Sequence, residues 1–183
     1  MDDQIIAVYC LCADLLKAMH HLENPQCRMS DAEVMTTGLI ATLHFRGNFT
    51  SARPMLQEQG YIPSLRSESR FRRRVQRIRS QCLTLFSLLG ETWKALNRES
   101  VSVIDSFPIP VCDNYRSSRA KLYHDERYRA YQASKKRYSD GLKLHWLVTH
   151  AGEPVEFFLT AGSYSAVKGL RDFEFDLPDG SAI

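Results

Sequence analysis

The chain has 183 residues, a formal net charge of +3 and a hydrophobic content of 44%, which suffices for the core of one domain or of two small ones. No apolar run approaches the length of about 20 residues that a membrane-spanning helix needs, and the first residues carry acids rather than a basic signal region. These observations predict a cytoplasmic protein without a membrane partner.

The five cysteines are odd in number, irregularly spaced and placed within helix or strand patterns. This pattern is typical of reduced core cysteines and argues against a disulfide framework. A zinc site near the start of the chain is disfavoured, because its cysteines lack the paired C-x-x-C spacing of structural zinc sites. Its ligands would come from Cys10, Cys12, Cys27, His20 and His21.

The small net charge hides a strong segregation of charge along the chain. Residues 1–65 carry a net charge of −3, residues 66–100 carry +6, residues 101–143 carry +4 and residues 144–183 carry −4. The centre of the chain is therefore basic, and both ends are acidic. Such an asymmetry is typical of a protein that binds a polyanion.

Residues 1–98 are predicted to form a helical domain that binds DNA. The chain starts with apolar residues at helical spacing. A capping box formed by Ser30 and Glu33 then opens a helix that we expect to end at Phe45. A shorter helix is predicted at about residues 50–59, before Gly60.

One continuous helix is predicted over residues 67–96, where apolar side chains repeat at near-heptad spacing. At about 100° per residue, a group of arginines falls on the side opposite this apolar stripe. All seven basic residues between positions 66 and 79 are arginine, the residue favoured for phosphate recognition. The alternative is an ordinary solvated helix face. The predicted DNA-binding residues of this helix are Arg66, Arg70, Arg73 and Arg77.

Residues 99–183 are predicted to form a second domain that opens with a strand carrying Asp105. The β-branched run before this residue favours a buried strand, which Pro108 and Pro110 are expected to stop. An ionised carboxylate in a buried strand needs compensation for its lost hydration, and a metal ion is the usual partner. The sequence therefore indicates a metal site at Asp105.

Tyrosines alternate with arginines and lysines between residues 113 and 140. Cations for phosphates and aromatic faces for unstacked bases are the composition that a nucleic-acid channel needs. The alternative is an exposed loop whose tyrosines pack on the domain surface. The candidate DNA-binding residues in this half of the chain are Arg119, Lys135, Lys136, Arg137, Lys143 and His145.

A β-hairpin follows, because apolar and polar residues alternate over 142–149 and again over 155–160. The turn is expected at residues 150–153, and a short helix at about residues 167–173. A strand with a central Asp, a long basic connection and an antiparallel hairpin form the opening order of a ribonuclease H-like domain.

In detail, the chain resembles the transposases of bacterial insertion sequences, of the DDE class. The resemblance rests on V-I-D-S-F-P-I-P-V-C (103–112), Y-x-A-S-K-K-R-Y (131–138), G-L-K-L-H (141–145) and G-E-P-V-E-F-F-L-T-A-G-S (152–163). It implies an α+β fold, in which an N-terminal helical domain precedes the first part of a ribonuclease H-like domain, three strands and a short helix.

The resemblance implies that Asp105 is the first catalytic carboxylate and binds Mg²⁺ or Mn²⁺. The second Asp of the family would lie just beyond Ile183, and its Glu on a later helix, so we expect a truncated form that is inactive alone. The implied substrate is double-stranded DNA at transposon ends, in the bacterial nucleoid. A second copy of the chain or an intact transposase is the implied protein partner.

Two other functions remain open for this chain. It could be a non-catalytic DNA-binding fragment that occupies transposon ends, or a decayed pseudogene product without function. Binding to terminal inverted repeats would separate these two alternatives from each other. Strand transfer would separate the transposase from both.

Overall fold

The computed structural model consists of two compact units, Met1–Phe86 and Ser87–Ile183. The first unit is helical, and the second contains the end of a longer helix, an antiparallel sheet and a short helix, which confirms the predicted α+β class. The predicted boundary between residues 98 and 99 stays a prediction. The structure describes residues 1–63, 67–113, 119, 121–123, 125–132, 135–178 and 180–183.

Six α-helices, one short 3₁₀ helix (Glu126–Tyr128) and four strands are described. The helices are α1 (Asp2–Ala18), α2 (Asp31–Phe45), α3 (Phe49–Glu58), α4 (Glu68–Arg77), α5 (Arg79–Leu96) and α6 (Ala166–Asp172). The strands are β1 (Ser102–Asp113), β2 (Arg129–Gln132), β3 (Arg137–Thr149) and β4 (Pro154–Ala161). Within the described residues, no helix is long and apolar enough to cross a membrane.

Helix α2 is the centre of the helical unit and packs against α1, α3 and α4. It begins at the predicted capping box, in which Glu33 N donates to Ser30 Oγ at 3.1 Å and Ser30 N donates to Glu33 Oε2 at 2.5 Å. The helix ends at Phe45, as predicted. The core of this unit includes the buried side chains Ile5, Cys12, Val34, Met35, Ile40, Leu56 and Phe71.

The long helix expected over residues 67–96 is two helices, α4 and α5, that meet at Ile78. The backbone of Ile78 has φ −90° and ψ 14°, which interrupts the regular helix for one residue. The predicted apolar repeat persists across this break, since Phe71, Ile78 and Leu85 are all buried at a spacing of seven residues. The spacing of apolar side chains predicts the buried stripe, but it cannot predict that the backbone of one residue departs from helical geometry.

Strand β3 is the central strand of the sheet. It pairs with β1 along one side, while β2 and β4 pair with successive parts of its other side. The β3–β4 hairpin confirms the hairpin predicted from alternation, whereas β2 was not predicted. Opposite residues share one face of an antiparallel sheet, so the register places Asp105, Trp146 and Phe157 together on one face.

The prediction that Pro108 and Pro110 stop the first strand is wrong, because β1 continues through both to Asp113. Among the described residues, β1 pairs with β3 on one side only, apart from an isolated parallel bridge between Val101 and Ala182. Proline is tolerated on such an edge strand where the missing N–H would point away from the partner. Pro108 and Pro110 are two residues apart and therefore have the same orientation.

The face of the sheet opposite Asp105 is covered by helices of the same unit. In α6, a Cβ on Gly169 would lie 3.1 Å from the Phe158 ring and 3.2 Å from the His145 ring. In α5, Lys94 Nζ lies 2.6 Å from Glu156 Oε1. Alternation places His145, Glu156 and Phe158 on this covered face.

Candidate nucleic-acid interface and catalytic carboxylate

Three arginines of α4 form an exposed basic face, which we call the arginine face: Arg70, Arg73 and Arg77. Their spacing of three and four residues puts them on one side of the helix, while Phe71 on the other side is buried in the helical unit. Within the part of the chain that the structure describes, none of the three forms an ion pair with an acid. The arginine face therefore presents uncompensated positive charge to solvent.

Other arginines of the basic run have partners within the helical unit. Arg72 pairs with Glu68 at 2.7 Å and lies over the Phe49 ring, with its Cζ 5.7 Å from the ring centroid. Arg74 donates to the carboxylate of Asp31 and to the carbonyl oxygen of Met29. The predicted DNA-binding residue Arg66 lies outside the described residues.

Asp31 is the centre of a polar network that holds α4 against α2. Its carboxylate binds Arg74 on one oxygen and His21 Nε2 on the other at 2.8 Å, and Gln81 Nε2 lies 3.2 Å from His21 Nδ1. Burial by itself would raise the pKa of Asp31, but the hydrogen bonds from His21 and Arg74 and the charge of Arg74 outweigh it and hold the pKa below its usual value.

No role was assigned to Arg74 from the sequence, and its inward position was missed. A signal was available, because Arg74 follows Phe71 by three residues and precedes Ile78 by four. That spacing puts Arg74 on the apolar side of α4. Among the described residues, the basic run thus contains one arginine that positions the helix and the three exposed arginines of the arginine face, which have no acidic partner.

Asp105 is exposed, so the expectation of a buried carboxylate is wrong. Its Oδ1 accepts a hydrogen bond from Ser106 N at 2.7 Å, and Trp146 lies directly opposite on β3. The face that carries Asp105 is open, since Val103 and Phe107 beside it are about half exposed, at 51% and 49%. An ionised Asp105 remains hydrated here, so burial supplies no argument for a metal ion.

The described residues offer one carboxylate rather than a full set of metal ligands at this position. Among them, no group of three or more His, Cys, Asp or Glu side chains could hold a metal ion. Glu156 lies on the opposite face and is bound to Lys94. A single exposed carboxylate suits Mg²⁺ as one of several oxygen ligands but does not complete a two-metal site.

The basic residues predicted in the second half divide into two groups. Arg119, Lys135, Lys136 and Arg137 are exposed, as a phosphate contact requires. Lys143 instead donates its Nζ to the carbonyl oxygen of Tyr164 at 2.6 Å.

His145 does not fit the predicted DNA contact, because its side chain is completely buried between the sheet and α6. Its Nε2 is 2.8 Å from Thr160 Oγ1, and its ring stacks on Phe158 with centroids 4.4 Å apart. Burial, and next the charge of Lys143, lower the pKa of His145. The residue is therefore a neutral core histidine.

The disfavoured zinc site receives no support from the described part of the chain. Cys12 is buried in the helical unit, and burial raises the pKa of its thiol to about 11. His21 is engaged with Asp31 instead.

Comparison with known proteins gives one match to a family model, and it covers less than half of the chain. Residues 96–180 match the family model described as Transposase DDE domain, and this segment lies entirely within the second compact unit. It contains Asp105, the β3–β4 hairpin and α6. Searches of the curated proteins and of the solved structures found no match.

Proposed function

We propose that the chain acts on double-stranded DNA in transposition, on the premise that residues 96–180 match the family model described as Transposase DDE domain. The arginine face binds the duplex, and Asp105 is a catalytic carboxylate for strand cleavage and strand transfer with Mg²⁺ or Mn²⁺. The observation that carries the proposal is the family match, whose residues include Asp105. The exposed arginines of α4 supply independent support from the other unit.

The arginine face suits a phosphate backbone in both charge and length. Arg70 and Arg77 are seven residues apart, which corresponds to about 10 Å along the helix. This distance spans about three phosphate steps of one strand at 3.4 Å each. Guanidinium groups bind phosphate oxygens in a bidentate manner and remain charged at every physiological pH.

Asp105 contributes one anionic ligand on the open face of the sheet. A bound Mg²⁺ would activate a water or a 3′-hydroxyl and stabilise the leaving oxygen of the cut phosphodiester. The Oδ1 atom of Asp105 accepts a hydrogen bond from Ser106 N, which orients the carboxylate of this exposed residue. Because the described residues supply one carboxylate, no further catalytic step is assigned to them.

A second candidate function is DNA binding without catalysis, at the ends of a transposon. It is favoured because the described residues supply one carboxylate rather than a full set of metal ligands at Asp105, whereas DNA binding by the arginine face needs no metal ion. In either function we place the chain with DNA in the bacterial nucleoid. A second copy or an intact transposase is the expected partner there.

The test is duplex binding by the 183-residue chain, measured by fluorescence anisotropy between about 50 and 200 mM salt. The proposal expects log K to fall steeply and linearly with log salt. The variant Asp105→Asn should bind the duplex as tightly as the wild type, since the arginine face is unchanged. Absence of duplex binding at the lowest salt would contradict both candidate functions.

A further inference from the structure

Two tyrosines form an exposed pair on the sheet. Tyr131 on β2 and Tyr138 on β3 lie directly opposite each other, with ring centroids 5.1 Å apart and ring planes inclined at 55°. Tyr131 is 55% exposed and Tyr138 is 47% exposed. A cross-strand aromatic pair stabilises a sheet. Stabilisation of the sheet alone does not explain why about half of each ring is exposed to solvent.

The two rings differ in how much of their surface is free. Arg129 Cζ lies 5.0 Å from the centroid of the Tyr138 ring, which also contacts Tyr131. Tyr138 is thus enclosed by a cation and an aromatic ring. Tyr131 contacts Tyr138 and, at 55% exposure, presents more than half of its surface to solvent.

Three exposed cations lie within five residues of Tyr131 along the chain. Arg129 on β2 is exposed, and Lys135 and Lys136 are exposed in the connection that leads from β2 to β3. A flat aromatic surface next to several cations fits a nucleotide, in which a base is attached to a phosphate. An apolar peptide or a lipid chain would gain nothing from these three charges.

The tyrosine pair lies on the same face of the sheet as Asp105. Tyr138 and Trp146 are eight residues apart on β3 and therefore point to the same side, and Trp146 is directly opposite Asp105. Eight residues of strand correspond to about 26 Å. At 3.4 Å per step, a DNA strand covers this distance in about eight nucleotides.

We infer that Tyr131 is a stacking platform for an unpaired base of DNA, about eight nucleotides from the phosphate at Asp105, with Arg129, Lys135 and Lys136 at the adjoining phosphates. The inference rests on the proposed function and specifies its substrate: DNA in which at least one base near the reacting end is unpaired. An aromatic side chain accepts any base, so the platform has little sequence preference.

The experiment uses a short single-stranded DNA with one 2-aminopurine, whose fluorescence falls when the base stacks on an aromatic ring. Wild-type chain should quench this fluorescence. Tyr131→Ile retains a β-branched, apolar residue against Tyr138 but removes the ring, and should lose the quenching and about 5- to 100-fold in affinity. Tyr131→Phe should behave as the wild type, because stacking does not use the hydroxyl group.

Tyr9→Ala is the matched control, since Tyr9 is an exposed tyrosine on α1 in the helical unit. It should leave quenching and affinity unchanged. Circular dichroism of Tyr131→Ile establishes that the sheet is retained. If folded Tyr131→Ile quenches 2-aminopurine as strongly as the wild type, Tyr131 is not the platform.

Failure of this inference can be told from failure of the proposed function. Steep, salt-dependent binding of duplex DNA without any quenching by the wild type overturns the platform alone. Failure to bind either duplex or single-stranded DNA overturns both. Loss of quenching in Tyr131→Ile with unchanged duplex binding is the result expected if both are correct.

Discussion

Arg74 points into the helical unit and donates to the carboxylate of Asp31, whereas Arg73 beside it points to solvent. The pair is largely shielded, with exposed side-chain fractions of 18% for Arg74 and 14% for Asp31. Because Asp31 is in the first turn of α2 and Arg74 in the last turn of α4, the pair joins the start of one helix to the end of the other. One inward arginine thereby fixes which side of α4 the arginine face occupies.

Asp31→Asn should destabilise the helical unit. Hydrogen bonds to charged groups contribute about 1.5–3 kcal/mol each, so we expect a loss of about 2 kcal/mol in the free energy of unfolding at neutral pH. The measurement is urea unfolding. Glu68→Gln is the matched control, because Glu68 is also a first-turn acid paired with an arginine but is exposed, and its effect should be much smaller.

The effect of Asp31→Asn should depend on pH. The pKa of Asp31 is lowered in the folded protein, so its contribution to stability is present above the unfolded value of 3.8 and is lost as the pH falls further. The difference in unfolding free energy between the wild type and Asp31→Asn should therefore shrink below about pH 3.8. A difference that stays constant down to pH 2 would show that the charge of Asp31 does not stabilise the fold.

Replacement of Arg70, Arg73 and Arg77 by Ala should weaken DNA binding and its salt dependence. Each phosphate contact contributes about 0.9 to the slope of log K against log salt, so the slope should flatten by about two to three units. Duplex binding at several salt concentrations gives the slope. The helical unit should stay folded, because none of the three side chains is buried.

Arg72→Ala is a useful comparison for the triple variant. Arg72 is an exposed arginine of the same helix, but Glu68 already neutralises part of its charge. It should change the salt slope by less than any single member of the arginine face. If the folded triple variant retains the wild-type slope, the arginine face is an ordinary solvated surface.

His145→Phe should reduce the pH dependence of stability in the second unit. The pKa of His145 is lowered in the folded protein by burial and then by Lys143, so unfolding takes up as much as about one proton as the pH falls below 6.5. The contribution of neutral His145 to the free energy of unfolding is therefore fully present above pH 6.5 and decreases as the pH falls below this value. Phe keeps the stacking on Phe158 and does not titrate, so the decrease between pH 6.5 and 5 should be smaller.

Thermal unfolding at a series of pH values measures this difference. His150→Gln is the control, because His150 is an exposed histidine near Glu99 in the same unit. It should leave the pH dependence as in the wild type. An unchanged dependence in His145→Phe would show that His145 is not the group that takes up the proton.

The elements that the sequence predicted correctly are those determined by local patterns. The Ser30–Glu33 capping box depends on two residues three positions apart, and the β3–β4 hairpin on alternation around a four-residue turn. Both signals lie within one element or its immediate neighbour. The α+β class follows from them, because a helical period gives way to an alternating one near residue 100.

The expectations that failed depend on contacts between distant parts of the chain. Proline interrupts a central strand but is tolerated in an edge strand. Pro108 and Pro110 lie in β1, and the position of β1 at the edge of the sheet follows from its pairing with β3. Whether Asp105 is buried depends on which face α5 and α6 cover, which alternation within β1 cannot tell. The inward turn of Arg74 likewise requires Asp31, 43 residues away.

Asp105 by itself does not complete a two-metal site, so the 183-residue chain should be unable to cut DNA. With Mg²⁺ or Mn²⁺ and a supercoiled plasmid, the 183-residue chain should bind the DNA but produce no nicks. One carboxylate holds a hydrated ion weakly and cannot fix two ions about 3.5–4 Å apart.

Where residues 1–183 are joined to the two further acids that the resemblance implies, cleavage should appear and should be abolished by EDTA. In that longer protein, Asp105→Asn should abolish cleavage and leave duplex binding unchanged, because a neutral amide is a poor bridging ligand and the arginine face is intact. Metal-dependent nicking by the 183-residue chain that survives Asp105→Asn would place the active site elsewhere.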